Sequence, residues 1–250
     1  MRFNGEVALV TGTGSGIGLE AARMFAQEGC RVAAGVHRAE DLDRLVDQPG
    51  EIFSFILDVT DQAQWENAIQ RVIERFGRID ILFNNAGSTI RGDIVETDRE
   101  LWDKTININL NSVYLGCRAV IPHMLEHGSG VIVNNASING IRGNWKLIAY
   151  SSAKGGVVAM TRSLALDCAQ RGIRVNCICP ATVGDTRMTQ DTIGAAEDPE
   201  AMKQAFASLH PIGRVATARE VAAVAVFLAS ADASFMTGAV IPVDGGRASR

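Results

Sequence analysis

The chain has 250 residues, of which 47% are hydrophobic, enough for one large α/β domain with a well-buried core. A net charge of −4 and a pI near 5.6 argue against nucleic acid as the main partner. The N-terminal residues are polar, and the most apolar stretch, 221–231, is too short to cross a bilayer, so we expect a cytoplasmic protein.

Apolar runs and amphipathic stretches alternate along the chain. Strands are predicted near residues 6–11, 31–36, 52–57, 79–84, 131–136, 173–179 and 238–243. Helices are predicted near residues 16–28, 39–47, 61–76, 99–127, 150–171 and 217–231. Such alternation is typical of a parallel sheet with helices on both faces, which binds ligands at the carboxyl ends of its strands. No repeat or linker interrupts the pattern, so residues 1–250 are expected to form a single domain.

A glycine-rich segment, residues 11–18, lies between the first predicted strand and the first predicted helix. This is the context in which a dinucleotide phosphate is bound, because glycines allow close backbone approach and the helix N-terminus offers free N–H groups. A flexible turn without a ligand is the alternative, but it does not explain this position in an alternating chain. The sequence therefore predicts a Rossmann-like, doubly wound parallel sheet of about seven strands with helices on both faces.

Tyr150 and Lys154 are four residues apart in a predicted helix and should share one helix face. A phenol keeps its proton to about pH 10, and a fixed ammonium beside it favours the phenolate, so the pair is suited to acid–base chemistry near neutrality. Ser137 follows a predicted strand that would bring its hydroxyl to the same edge. Two amphipathic residues on a helix surface are the usual explanation of such a pair, but the dinucleotide loop favours catalysis.

Further motifs follow in order along the chain. Residues 84–87 are Asn-Asn-Ala-Gly, Asn109 lies within a predicted helix, Pro180 follows the sixth predicted strand, and residues 243–246 are Val-Asp-Gly-Gly. Together with the glycine segment and the residues at 137, 150 and 154, they resemble the motifs of the short-chain dehydrogenase/reductase family. The resemblance covers nearly the whole chain at the family's spacing.

The resemblance implies hydride transfer between a nicotinamide cofactor and a secondary alcohol or ketone, with the developing charge met by fixed donors. Tyr150 would exchange the proton, Lys154 would lower the pKa of the tyrosine and bind the nicotinamide ribose, Ser137 would polarise the substrate oxygen, and Asn109 would hold a water. The implied cofactor-binding residues are Gly12, Ser15, Gly16, Ile17, Gly18, His37, Arg38, Asp58, Val59, Asn85, Ala86, Gly87, Tyr150, Lys154, Pro180 and Val183.

The residues after the second predicted strand bear on the choice between NADP and NAD. This strand ends at Val36, where NAD-binding relatives usually have an acidic residue for the ribose hydroxyls. His37 and Arg38 could meet a 2′-phosphate, although a solvated loop explains them equally well. Ser15 stands where many NADP-preferring relatives have a second basic residue. Both cofactors stay open, with a slight preference for NADP; Asp58 is implied to bind the adenine amino group.

Residues 181–210 break the alternation and are expected to be irregular, because their periodicity is weak. In the short-chain dehydrogenase/reductase family, which the chain resembles, this segment is the mobile substrate loop. Ala181 replaces the usual glycine, and Thr186 is one place later than the threonine that contacts the nicotinamide amide. Thr182 and Thr186 are both candidates for that contact.

The connection between Ser137 and Tyr150 borders the carbonyl site in the family and is polar in this chain. The candidate substrate residues are Asn139, Arg142, Trp145 and Lys146, with Trp145 as one wall of the pocket; Arg91 and Arg187 could also face the cleft. We expect a small polar or anionic substrate held by one or two of these donors. The alternatives are that most of these charges face solvent, or that the enzyme reduces bulky apolar ketones.

The five cysteines and four histidines show no disulfide framework and no metal-ligand spacing, so no metal is expected. The predicted helices at 99–127 and 150–171 have more apolar and small residues than one sheet face needs. The family pairs these helices between subunits, so a homotetramer with D₂ symmetry is expected. A non-catalytic dinucleotide-binding regulatory protein of the same fold is the alternative function, although such proteins usually have damaged catalytic residues.

Overall fold

The computed structural model of the chain describes residues 1–46 and 48–249. Its centre is a seven-stranded sheet in the order β3-β2-β1-β4-β5-β6-β7, and every neighbouring pair of strands is parallel. The strands are β1 (Val7–Thr11), β2 (Arg31–Val36), β3 (Ile52–Ile56), β4 (Ile81–Asn84), β5 (Gly130–Asn135), β6 (Ile173–Pro180) and β7 (Val240–Val243). The predicted doubly wound parallel sheet is confirmed.

Helices cover both faces of this sheet. They are α1 (Gly16–Gln27), α2 (Gln62–Phe76), α3 (Arg99–Ile106), α4 (Ser112–His127), α5 (Ile148–Cys168), α6 (Arg187–Gly194), α7 (Pro199–Ser208) and α8 (Ala218–Ala229). One apolar core packs the sheet against α1 and α8 around Phe25, and the other packs it against α2, α4 and α5 around Trp65. No helix in the described part of the chain is long and apolar enough to cross a membrane.

Two predicted helices take other forms in the structure. The segment predicted at 39–47 is a 3-10 helix over Ala39–Leu45, and Asp47 lies outside the described residues. The segment predicted at 99–127 is divided into α3 and α4 by a π-helical turn, Asn107–Asn111. Such turns are rare and occur mostly at functional sites, and this one contains Asn109.

The prediction that residues 181–210 are irregular is wrong, because the segment contains α6 and α7. Thr186 caps α6 by accepting a hydrogen bond from the Thr189 N–H, and Asp198 caps α7, whose first residue is Pro199. Capping side chains and an N-terminal proline are helix-start signals that do not depend on hydrophobic periodicity. The periodicity was weak because both helices lie at the surface.

The sheet changes its winding direction between β1 and β4, which are neighbours although β2 and β3 separate them in sequence. Doubly wound sheets bind ligands at this point, beyond the carboxyl ends of the strands. The glycine segment follows β1, the Asn-Ala-Gly turn follows β4, Ser137 follows β5, and Pro180 ends β6. The topology thus brings all four motifs to one edge of the sheet.

Candidate active site

The segment after β1 forms a backbone cradle at the N-terminus of α1. Gly12 and Gly16 have φ angles of +70° and +56°, which favour glycine. A Cβ at Gly18 would lie 2.3 Å from the Gly12 carbonyl oxygen, so a side chain there has no space. Ser15 is the N-cap of α1 but makes no side-chain capping bond, so the first N–H groups of the helix remain available to a phosphate. The cradle fits a dinucleotide.

Asn85 fastens this cradle to β4. Its Nδ2 donates hydrogen bonds to the carbonyl oxygens of Thr11 at 2.9 Å and Gly12 at 3.4 Å. In return, the Thr11 hydroxyl oxygen accepts from the backbone N–H groups of Asn85 and Ala86, each at 3.0 Å. The glycine loop and the Asn-Ala-Gly turn are therefore held as one unit.

Tyr150 and Lys154 are both buried on α5, with Lys154 Nζ 5.8 Å from the centre of the Tyr150 ring. Gly140 allows the connection after β5 to pack directly on this helix, since a Cβ there would lie 2.6 Å from the Lys154 carbonyl oxygen. Lys154 Nζ donates to the carbonyl oxygen of Asn135 at 2.7 Å. Burial lowers the pKa of Lys154 to about 8, because a desolvated ammonium is less stable than a hydrated one.

Tyr150 titrates differently from the sequence expectation. Burial raises its pKa above the usual value, and hydrogen bonds with Ser137 and Thr89 oppose this rise only in part. The expectation that Lys154 brings this pKa below its usual value is wrong for the chain alone, because desolvation of the phenolate outweighs the stabilising contacts. Tyr150 is thus held in its protonated form, which is the form that donates a proton.

The Tyr150 hydroxyl therefore lies near two other hydroxyls. Ser137 follows β5 and accepts a hydrogen bond from the Asn139 N–H at 3.1 Å. Thr89, which the sequence analysis missed, follows the Asn-Ala-Gly turn and donates to Met188 Sδ in α6 at 2.9 Å. The only sequence signal for Thr89 was its place two residues after Gly87.

Asn109 is fully buried in the π-helical turn. Its Nδ2 donates to the carbonyl oxygens of Ser88 at 2.8 Å and Thr105 at 3.0 Å, and its Oδ1 accepts from the Ser88 N–H at 3.1 Å. A Cβ at Gly87 would lie 2.8 Å from Asn109 Oδ1 and 3.4 Å from Lys154 Nζ. The structure therefore brings the predicted Asn109, Gly87 and Lys154 together.

The carboxyl end of β2 has no acidic residue, as predicted. Val36 is buried, whereas His37 and Arg38 are exposed, and Arg38 forms a 3.3 Å surface ion pair with Glu40. Asp41 also lies at this end of the site, although its sequence position did not predict it. Its carboxylate is buried and so close to the glycine loop that a Cβ at Gly14 would lie 2.5 Å from Asp41 Oδ2. Its sequence position in a polar stretch gave no sign of burial.

Residues on the far side of the cleft contact the glycine loop. A Cβ at Gly16 would lie 2.9 Å from Thr186 Cγ2, whereas Thr182 Oγ1 accepts from Arg247 at 3.1 Å. Of the two candidate threonines, Thr186 is therefore the one against the cradle. Arg187 does not face the cleft as a free donor, because it pairs with Asp41 at 3.4 Å, as Arg44 does at 2.9 Å.

The remaining predicted cofactor residues lie around the same edge. Ile17, in the first turn of α1, packs against the apolar core, and Val183 is buried and forms a bridge with Ala216. The Val59 carbonyl oxygen accepts from Trp65 Nε1 at 3.0 Å. Asp58 accepts from the N–H and the hydroxyl of Thr60; burial raises the pKa of Asp58, but these hydrogen bonds outweigh it and hold the pKa below the usual value. The carboxylate is therefore charged at neutral pH.

The polar connection before α5 lines a surface hollow of about 550 Å³ that includes Arg142, Trp145 and Lys146 but neither Ser137 nor Tyr150. Trp145 lines this hollow and is 89% exposed, so its side chain lies at the surface; its role as a wall of the substrate pocket stays a prediction. Lys146, at φ +53°, forms an exposed ion pair with Glu96. Asn139 Oδ1 accepts from Asn144 at 3.2 Å.

Comparison with known proteins places this geometry among nicotinamide-dependent enzymes. The family model described as enoyl-(acyl carrier protein) reductase matches residues 12–248. A 3-oxoacyl-[acyl-carrier-protein] reductase of Thermotoga maritima is 41% identical over 98% of this chain and 99% of its own length. Meso-2,3-butanediol dehydrogenase of Serratia marcescens is 39% identical over 98% and 96% of the two chains.

Solved structures agree with these sequence relatives. A short-chain dehydrogenase/reductase from Burkholderia xenovorans superposes with a TM-score of 0.96 at 35% identity, covering 100% of this chain and 98% of that one. Levodione reductase superposes with a TM-score of 0.93 at 37% identity, covering 99% of each chain. Both likenesses extend over the whole sheet and all the segments described above.

Proposed function

The chain belongs to the short-chain dehydrogenase/reductase family, and we propose that it moves a hydride between a nicotinamide nucleotide and a small polar or anionic secondary alcohol or ketone. Its relatives establish the coarser activity, that of an NAD(P)-dependent oxidoreductase acting on alcohols and ketones. The observation that carries the proposal is the buried Tyr150–Lys154 pair beside the glycine cradle.

The proposed mechanism assigns one role to each polar side chain. A bound nicotinamide nucleotide supplies the hydride in reduction and accepts it in oxidation. Tyr150, kept protonated by burial, donates its proton to the carbonyl oxygen, and Ser137 donates a hydrogen bond to the same oxygen as negative charge develops. Lys154 would donate to the nucleotide ribose, and it holds positive charge near Tyr150. Asn109 fixes the turn that contains Gly87 beside Lys154.

An assay with a panel of carbonyl compounds and alcohols tests the proposed activity against the non-catalytic alternative. The purified protein is incubated with NADPH or NADH and each compound, and cofactor absorbance is recorded. We expect turnover of at least one small polar compound. Nucleotide binding without turnover of any compound would support a regulatory protein, and turnover restricted to bulky neutral ketones would support the apolar-substrate alternative.

For the cofactor we propose a preference for NADP. Val36 places no carboxylate at the end of β2, and His37 and Arg38 beside it are exposed, so they can reach a 2′-phosphate once Arg38 exchanges its surface contact with Glu40 for that phosphate. The nearby Asp41 carboxylate does not oppose this, since the guanidinium groups of Arg44 and Arg187 both contact it.

Val36→Asp is expected to reverse this preference. A carboxylate at the end of β2 repels a 2′-phosphate and accepts hydrogen bonds from ribose hydroxyls, so kcat/KM for NADPH should fall about tenfold or more relative to NADH. Because Val36 is buried and a carboxylate there also perturbs packing, the exposed Arg38 is replaced in a second variant. Arg38→Ala should weaken the binding of NADPH and leave the binding of NADH unchanged. The proposal is contradicted if the wild-type kcat/KM for NADH equals or exceeds that for NADPH.

For the substrate, we propose that the Arg142 guanidinium binds an anionic or strongly polar group of the substrate. Arg142 donates to the carbonyl oxygen of Arg247 at 2.8 Å, and Arg247 reaches Thr182, two residues beyond Pro180. Burial, and then the neighbouring charge of Arg142, lower the pKa of Arg247. In the described residues neither guanidinium has a carboxylate within ion-pair distance, so both are available to an anion.

Arg142→Ala is therefore expected to raise KM for an acidic substrate by about tenfold to a hundredfold and to leave the nucleotide Kd unchanged, because a charge-assisted hydrogen bond contributes about 1.5–3 kcal/mol. Lys146→Ala is the matched control on the same connection; its ammonium is already paired with Glu96 at the surface, and KM should change little. Equal effects of the two substitutions would contradict the assignment to Arg142.

For the assembly we propose a homotetramer. Leu166 on α5 is 83% exposed, Tyr114 on α4 is 51% exposed, and Phe235 after α8 is fully exposed, as is typical of surfaces that pair with another subunit. Sedimentation velocity should give the tetramer mass over a wide concentration range, and Leu166→Glu should reduce it to smaller species. A concentration-independent monomer contradicts the proposal.

A further inference from the structure

Two pairs of asparagines connect the ends of β4 and β5. The backbone register places Asn84 opposite Asn134, and Asn85 and Asn135 follow them. Asn84 Nδ2 donates to Asn134 Oδ1 at 3.0 Å, and Asn135 Nδ2 donates to Asn85 Oδ1, also at 3.0 Å. Because successive side chains of a strand point to opposite faces, the two pairs extend away from the sheet in different directions.

The first pair ends in the core. Asn134 Nδ2 donates to Thr161 Oγ1 at 2.9 Å, and Asn84 Nδ2 is 3.4 Å from Cys117 Sγ. These four side chains are buried, and in the described part of the chain none of them forms a hydrogen bond with the glycine loop or with Lys154. They join β4 and β5 to α4 and α5, which is a purely structural role.

The second pair ends at the two functional parts of the site. On one side, Asn85 Nδ2 holds the carbonyl oxygens of Thr11 and Gly12. On the other side, the backbone carbonyl oxygen of Asn135 accepts from Lys154 Nζ at 2.7 Å. Among the described residues, Asn135 is therefore the one that is hydrogen-bonded both to Lys154, through its backbone carbonyl, and to Asn85, whose side chain holds the glycine loop.

We propose that Asn135 is a positioning residue: it couples the conformation of the glycine loop, which binds the nucleotide, to the position of the Lys154 ammonium. This inference rests on the proposed function, because it gives Lys154 and the glycine loop the roles assigned there. The buried Oδ1 of Asn135 has no protein partner among the described residues. The Asn135 side chain therefore donates through Nδ2 to orient Asn85, and its Oδ1 remains available as an acceptor beside Lys154 and the glycine loop.

The coupling follows from the geometry of the amide. If Asn135 cannot donate, Asn85 Oδ1 loses its partner, and the Asn85 amide is free to rotate away from Thr11 and Gly12. The glycine loop would then become ordered only when the nucleotide binds. The entropy lost in ordering it reduces the free energy of nucleotide binding. The Lys154 contact, made by the backbone, survives a side-chain change, so the two effects can be measured separately.

Two substitutions of Asn135 and one control test this role. Asn135→Leu keeps the size but removes the donor, and the Kd for NADPH, measured by fluorescence titration, should rise about tenfold. Asn135→Asp also removes the donor but adds a carboxylate near Lys154. It should weaken NADPH binding similarly and move the basic limb of the kcat–pH profile to higher pH, because an opposite charge favours the ammonium.

Thr161→Val is the matched control, because Thr161 lies on the same helix as Lys154 but ends the structural asparagine pair. It should lower Tm while leaving the Kd and the pH profile unchanged. Among the described residues, the ionisable groups that face Lys154 are Tyr150 on its own helix and Cys179 on β6, and none of the substitutions replaces either group.

The proposal is overturned if Asn135→Leu binds NADPH as tightly as wild type, if Asn135→Asp leaves the pH profile in place, or if Thr161→Val reproduces both changes. If Asn135→Leu does not fold, the isosteric Asn135→Asp decides alone. Nucleotide affinity is measured without substrate, so this result is independent of whether Tyr150 proves to be the proton donor.

Discussion

Replacement of Tyr150 by phenylalanine is expected to lower kcat about a thousandfold and to leave the Kd for the nucleotide unchanged. The substitution removes one hydroxyl from a buried ring and preserves the ring's packing on α5. Without that hydroxyl the carbonyl oxygen receives no proton as the hydride arrives. Ser137 cannot replace it, because a serine hydroxyl is a far weaker acid than a phenol.

The second tyrosine of the chain provides the control. Tyr114 is half exposed on α4, whereas Tyr150 is buried on α5, and Tyr114→Phe should retain wild-type kcat and nucleotide affinity. Turnover and fluorescence titration of both variants decide the matter. Retention of more than a few per cent of wild-type activity by Tyr150→Phe would show that another group donates the proton.

The sheet could be predicted from sequence because its strands are short apolar runs separated by glycine-capped helices. Gly77, Gly128 and Gly172 have φ angles of +81°, +68° and +78°, and each one ends a helical segment before a strand. Two helices of the 181–210 segment escaped prediction because Thr186 and Asp198 specify their starts by side-chain capping, whereas the periodicity of their surface positions is weak.

The parts of the site that were predicted belong to contiguous motifs, such as the glycine segment and the Tyr150–Lys154 spacing. The parts that were missed act through long-range contacts. Thr89 is 61 positions before Tyr150 in the chain, and Asn135 meets Asn85 only because β4 and β5 are neighbours in the sheet. Asp41 belongs to a polar surface-like stretch, and only the folded chain shows its carboxylate buried beside Gly14.

The environment of Lys154 leads to a second large effect. Buried on α5 and in contact with one carbonyl oxygen, the ammonium has lost most of its hydration, and its pKa falls from 10.5 to about 8. In the unfolded chain the same lysine has an ordinary pKa. Between these two values the unfolded state therefore binds more protons than the folded state, and the free energy of unfolding rises with pH.

Lys154→Met is expected to abolish turnover and to remove this pH dependence. As the pH rises from about 7 to 10, the free energy of unfolding of the wild type should increase by about 2–3 kcal/mol relative to the variant, since each pKa unit corresponds to about 1.4 kcal/mol. Methionine has a similar length and carries no charge to desolvate, so the variant should fold at neutral pH. Urea denaturation at several pH values, together with kcat, measures both effects.

Lys203→Met is the matched control, because Lys203 is exposed on α7 and forms only a surface pair with Glu200. It should keep activity, and its stability should vary with pH as that of the wild type does. If the wild type and Lys154→Met instead showed the same dependence of stability on pH, Lys154 would be fully charged in the folded protein, and burial would not set its proton affinity. Function and stability therefore make opposite demands on this position: a charged lysine is needed beside Tyr150, and the fold is destabilised below pH 8 by enclosing it.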